Sequence, residues 1–146
     1  MSDITVNIDS TNITVELAVG AQGEPGPSGP PGGSSVTYTA GEALAAARVV
    51  IIEGGEAFLF QPSNAAHQGR AYGITIAAAT IGADAEIQIA GEIENAAFTF
   101  AADSILFVYN NGIIVDTPPV STIVQQAGVS SGSDKMLINF ATSILK

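Results

Sequence analysis

The sequence predicts an all-β protein, on three observations. Apolar residues alternate with polar ones between residues 4 and 19. From residue 36 onward, short runs rich in Val, Ile, Phe and Tyr recur between turn signals. The 16 glycines and 7 prolines break every long segment, which favours strands and turns over helices. With 146 residues, 47% of them hydrophobic, the chain has material for one compact domain and an appendage.

Residues 1–19 read as an N-terminal β anchor. Ile4, Val6 and Ile8 alternate before Asp9-Ser10-Thr11-Asn12, and Ile13, Val15, Leu17 and Val19 alternate after it. Asp, Ser and Asn supply turn chemistry, so one hairpin is the natural reading, although two extended segments give the same pattern. A lone hairpin is marginal in water and needs a partner surface, from sister chains or from a larger body. Attachment is therefore expected to fall to Ile4, Val6, Ile8, Ile13, Val15 and Leu17.

Residues 20–33 read as a collagen-like stalk. Glycine recurs without a miss at Gly20, Gly23, Gly26, Gly29 and Gly32, and Pro25, Pro27, Pro30 and Pro31 fill places between them. Three polyproline-II chains wind together only when every third residue, at the crowded axis, lacks a side chain. The period thus predicts a homotrimer and, at about 3 Å per residue, a spacer roughly 40 Å long. A Gly/Pro linker is the plainer reading of the composition, but it requires no period. The tract is too short to assemble three chains alone, so the flanking β segments or the surface beneath must impose the trimer.

Residues 34–146 read as a β-rich head. Strands are expected at 36–39, 49–52, 57–60, 72–77, 86–90, 98–100, 105–109, 113–115, 123–127 and 136–140. Gly54-Gly55 and Asn110-Asn111-Gly112 supply hairpin turns, the second with the Asn-Gly pair that positive φ angles demand. Pro118-Pro119 forces a connection. Segments 43–47 and 64–67 each suit a helical turn, the second capped by Ser63 or Asn64 after Pro62. The expected architecture is a β-sandwich or small barrel.

A formal net charge of −10 repels a phosphate backbone, so nucleic acid is not an expected partner. The absence of cysteine removes disulfides, thiolate nucleophiles and Cys-based metal sites. The N-terminus lacks a basic start followed by an apolar block, and no apolar run approaches the roughly 20 residues of a membrane helix, so a soluble chain without membrane insertion is expected.

The head resembles a domain of tailed-bacteriophage head-decoration and short fibre proteins. Gly41-Glu42-Ala43-Leu44, Arg48-Val49-Val50 and Ala66-His67-Gln68-Gly69-Arg70-Ala71-Tyr72-Gly73-Ile74-Thr75 carry the likeness. So do Gly91-Glu92-Ile93, Asn111-Gly112 leading to Thr117-Pro118-Pro119, and Gln125-Gln126-Ala127-Gly128-Val129. It covers residues 36–146 and consists of turn glycines and strand residues rather than reactive groups. The resemblance implies a structural virion protein on the particle surface, a homotrimer fixed through its N-terminal segment to the major capsid protein or another virion protein. A chain this short fits a capsid decoration better than a tail fibre. The alternative is a short tail fibre or tail-tip adhesin that binds a host surface glycan.

The search for chemistry yields no enzyme and no cofactor. His67, the single histidine, reads as a surface turn residue near Arg70 rather than a metal ligand. Glu92 and Glu94 share one face of a strand about 7 Å apart, within glycosidase range, but a solvated strand face explains them and no sugar cleft adjoins them. Gly128-Val129-Ser130-Ser131-Gly132 misses the nucleophile-elbow spacing, and Asp84 with Glu86 lacks the rest of a calcium loop. The aromatic residues fall mostly at core-facing strand positions, leaving Tyr72 and Tyr109 as candidate sugar platforms.

Overall fold

The computed structural model describes residues 33–146, together with the two strands β1 (Ser2–Asp9) and β2 (Asn12–Val19) as backbone. The tract glycines Gly20, Gly23, Gly26, Gly29 and Gly32 lie outside the described residues, as do the side chains of the anchor positions. Strands β1 and β2 pair antiparallel, with Ile8 opposite Ile13, Val6 opposite Val15 and Ile4 opposite Leu17. The single hairpin, not two separate segments, is therefore the arrangement adopted. Its register sets those six apolar positions on one face of the ribbon.

The C-terminal part is mostly β, with no α-helix among the described residues. Strands β3 (Ser34–Ala40), β4 (Val49–Glu53), β5 (Glu56–Leu59), β6 (Gly73–Thr75) and β7 (Asp84–Ala90) close a barrel in the order β3-β5-β4-β6-β7. Closure runs through a parallel β3–β5 contact; the other four pairings are antiparallel. Beyond the barrel follow β8 (Glu92–Glu94), β9 (Ile105–Val108), β10 (Ile114–Val115), β11 (Ile123–Val124), β12 (Gln126–Ser130), β13 (Lys135–Ile138) and β14 (Ile144–Leu145). Five of them form an antiparallel sheet ordered β10-β9-β12-β13-β8, and β11 pairs with β14 as a separate ribbon.

Strand β4 explains how barrel and sheet join. Its apolar run is buried on both faces, as a continuous Val/Ile stretch predicts. Val50 points into the barrel, against Ala57, Ala85 and Ile87, while Val49 and Ile51 point outward into the main core. There they meet Phe60 and Ile74 from the barrel side and Ile93, Leu106, Val108, Met136 and Ile138 from the sheet. The barrel interior mixes Ala40, Ala57 and Ala85 with Leu44, Val50 and Ile87, and no buried aromatic ring lies in it. The larger side chains sit where one barrel wall packs on the sheet.

The turn predictions hold at both glycine sites. Gly54 and Gly55, at φ 60° and 85°, join β4 to β5 in a two-residue loop. Asn111 and Gly112, at φ 58° and 67°, lie in the connection between β9 and β10. Gly112 also packs against the backbone of Val49, where a Cβ would collide, and its N–H donates to the Phe60 carbonyl at 2.9 Å. This turn therefore locks sheet to barrel, a tertiary role invisible in its local chemistry.

Other expectations are corrected. Segment 43–47 makes no helical turn: Leu44 is buried at the barrel, exchanges backbone hydrogen bonds with Ala79, and Ala47 takes φ 58°. Segment 98–100 is not a strand, although Phe98 and Phe100 are buried and stack with centroids 4.7 Å apart. Segment 123–127 divides between β11 and β12, and 72–77 contracts to β6. In each case a side chain is buried as its apolar character requires, but the backbone pairs elsewhere or not at all.

Candidate functional site

The 3-10 turn Ala65–His67 forms as expected, with the Asn64 carboxamide oxygen accepting from the Ala66 N–H at 3.0 Å. His67 is buried rather than a surface residue. Its Nδ1 accepts from the Gln61 backbone N–H at 2.9 Å, which leaves the neutral ring's proton on Nε2, and the ring stands edge-on to Phe60. Burial first, then the Arg70 charge, pushes its pKa below the ordinary value, so it stays neutral. The Gln61 carboxamide brackets Asn111, donating to Oδ1 at 2.7 Å and accepting from its N–H at 3.0 Å. His67 and Gln61 thus brace the Asn-Gly turn, which is a structural role.

The carboxylates are likewise engaged. Glu92 and Glu94 do share the outer face of β8, but Glu92 accepts from Ser131 Oγ at 2.7 Å and Glu94 stands 3.5 Å from the Lys135 ammonium across the strand pair. Glu86 accepts from Ser35 Oγ at 3.0 Å. Among the described residues, no group of three or more His, Asp or Glu comes together to hold a metal ion. Ser130 is buried, donating to the Ala101 carbonyl at 2.7 Å and accepting from the Ser104 N–H at 2.8 Å, so its hydroxyl ties a loop to the sheet.

The two tyrosines part company. Tyr72 packs on the barrel core, edge-on to Tyr38, and their hydroxyls lie 3.2 Å apart. That hydrogen bond, more than desolvation, raises the Tyr72 pKa and occupies the hydroxyl. Tyr109 follows β9 and leaves 44% of its surface exposed. It lines a shallow depression of about 360 Å³ with Val115, Asp116, Thr117, Pro118 and Pro119. Asp116 is held there by the Ala101 N–H at 2.9 Å. An aromatic face, a carboxylate and a hydroxyl are the groups that stack on and hydrogen-bond a sugar.

A further surface feature was missed from the sequence. On the outer face of the five-stranded sheet, Ile105 pairs with Val129 and Val129 with Leu137, three exposed apolar residues in one cross-strand row. Half-buried Phe107 and Val115 form the adjoining row. The signal lay in the unbroken apolar runs Ile105-Leu106-Phe107-Val108 and Met136-Leu137-Ile138, which mark strands apolar on both faces.

No family model matches this sequence, and no curated protein matches it. Among the described residues no helix is long and apolar enough to cross a membrane.

Proposed function

We propose that this chain is a non-enzymatic structural protein of a tailed-bacteriophage particle, a trimeric decoration of the capsid surface. The observation that carries the reading is the phase-perfect Gly-X-Y tract placed between an apolar-faced hairpin and a β-rich head. In this scheme residues 1–19 attach to the major capsid protein or another virion protein, the tract spaces three chains outward, and the barrel and sheet form the displayed head. The hairpin register favours attachment by one face, because it gathers six apolar positions that a two-stranded ribbon cannot bury by itself. Quantitative mass spectrometry of purified particles tests the location: hundreds of copies per particle are expected, and a handful would move the protein to the tail.

The tract has its own test. Gly26→Ala is expected to weaken the polyproline-type circular-dichroism band and to speed proteolysis between residues 19 and 35. Unchanged band and cleavage reduce the tract to a linker.

The Tyr109 depression favours a second reading, a short tail fibre or tail-tip adhesin whose head binds a host surface glycan. Tyr109→Ala then abolishes binding of the full chain to host envelopes, and undiminished binding removes this reading.

A further inference from the structure

We infer that the outer face of the five-stranded sheet, centred on the row Ile105, Val129 and Leu137, is where three copies of this chain meet below the stalk; the inference rests on the trimer reading above. Across β9, β12 and β13 the sheet carries an apolar row on its outer side as well as its inner one. Its inner residues Leu106, Val108, Met136 and Ile138 fill the main core, so burial of the domain's own interior is already complete. The outer row is nonetheless 51%, 38% and 52% exposed at Ile105, Val129 and Leu137, and it abuts Phe107 and Val115. An antiparallel sheet with one solvated face alternates apolar with polar, and this one does not.

What covers the face follows from where the stalk joins. Ser34, the first residue of β3, pairs with Ala90 at the end of β7, and Gly33 packs so tightly on Gln88 and Ala90 that a Cβ there would clash. Two residues past Ala90 lies Glu92 of β8, directly opposite Leu137. Gln88 fastens this corner, donating through Nε2 to the carbonyls of Ala90 at 3.1 Å and Glu92 at 2.7 Å. With about 3.4 Å per residue along a strand and about 4.8 Å between strands, the apolar row begins roughly 16 Å along the strands from the stalk's entry at Ser34. Three chains wound together at Gly32 enter their heads side by side, so the surface nearest that entry is the one brought to the shared axis. A row of this size is smaller than the roughly 800 Å² per partner of a free-standing complex. Tethering offsets the deficit, because a short connection holds the heads at an effective concentration of about millimolar. The acids of this face, Glu92 and Glu94, lie on the edge strand β8, where Ser131 and Lys135 engage them, so the row Ile105, Val129 and Leu137 itself carries no charge.

The experiment uses the full chain. Sedimentation equilibrium of the unaltered protein is expected to give three times the 14.7 kDa chain mass. Val129→Glu places three like charges at the contact and is expected to raise the dissociation concentration by about 100-fold or more while the circular-dichroism spectrum keeps its β signature. The absence of any native cysteine allows a second readout that does not depend on how the charged variant folds. Val129→Cys is expected to form disulfide-linked dimers on mild oxidation, joining at most two chains of each trimer. Ile81→Cys, 71% exposed on the loop beside the far end of β3, is expected to stay unlinked. An unaltered protein that is monomeric at every concentration overturns the trimer reading together with this inference. A trimer that Val129→Glu leaves intact, with Val129→Cys unlinked, overturns this inference alone and puts the contact between heads elsewhere.

Discussion

The barrel and the sheet each bury one face in the core between them, and they differ in what they turn to solvent. On the barrel's free side, Thr37 lies opposite Glu86 and Thr39 opposite Asp84, a polar strip of the kind a water-facing sheet requires. On the sheet's free side, Ile105, Val129 and Leu137 occupy the equivalent cross-strand row. Inside, the contrast reverses: the barrel closes over a small cluster in which Ala40, Ala57 and Ala85 sit beside Leu44, Val50 and Ile87, while the buried phenylalanines gather beneath the sheet. Closure lets the barrel satisfy its strand edges without bulk, whereas an open sheet depends on what packs against its faces. The sheet is thus the half whose stability rests on neighbours, first the barrel wall and then whatever meets its outer row.

The largest effect should come from the junction. Phe60→Ala removes a fully buried ring from the core the two halves share and is expected to lose about 3–5 kcal/mol in urea denaturation. If two separate transitions appear instead of one, the halves are less coupled than their shared core implies.

Next come the glycines, which share a backbone conformation but not a setting. Gly112→Ala must bear φ 67° and a clash with the Val49 backbone, and is expected to lose about 2–3 kcal/mol. Gly54→Ala, at φ 60° with open space around it, should lose only about 1 kcal/mol. Equal losses would mean that the Asn-Gly turn is not the latch between sheet and barrel.

A smaller effect is expected from His67. Its folded pKa lies below the unfolded value of 6.5, so below that pH the unfolded chain binds more protons and stability falls as pH drops. Above pH 6.5 this contribution is flat. The measurement is urea stability against pH for the natural chain and for His67→Gln, which should lose the part of the slope below 6.5; identical slopes would free His67 from its bracing role.

The smallest effect belongs to the surface of the sheet. Lys135 and Glu94 face each other at 3.5 Å with side chains 40% and 56% exposed, so Lys135→Ala is expected to change stability by less than about 1 kcal/mol, and still less in high salt. A larger loss would show the outer face contributing through its charges rather than its apolar row.

By itself the sequence determined the all-β class, the Gly54-Gly55 turn, a capped helical turn at 64–67 and the alternation of the N-terminal hairpin, because each depends on residues a few positions apart; the structure chose Asn64 over Ser63 as the cap. A period of two, a positive φ or a capping oxygen is a local requirement, and local chemistry announces it. Only the tertiary structure decided that the strands at 36–60 and 72–90 close on themselves, that His67 lies inside, and that Glu92 and Glu94 answer Ser131 and Lys135. It alone also aligned Ile105, Val129 and Leu137, residues 24 and 8 positions apart in the chain, into one row. The physical reason is register: each strand's pattern says which residues share a face, but only the pairing of distant strands says which faces fall side by side and which are left uncovered.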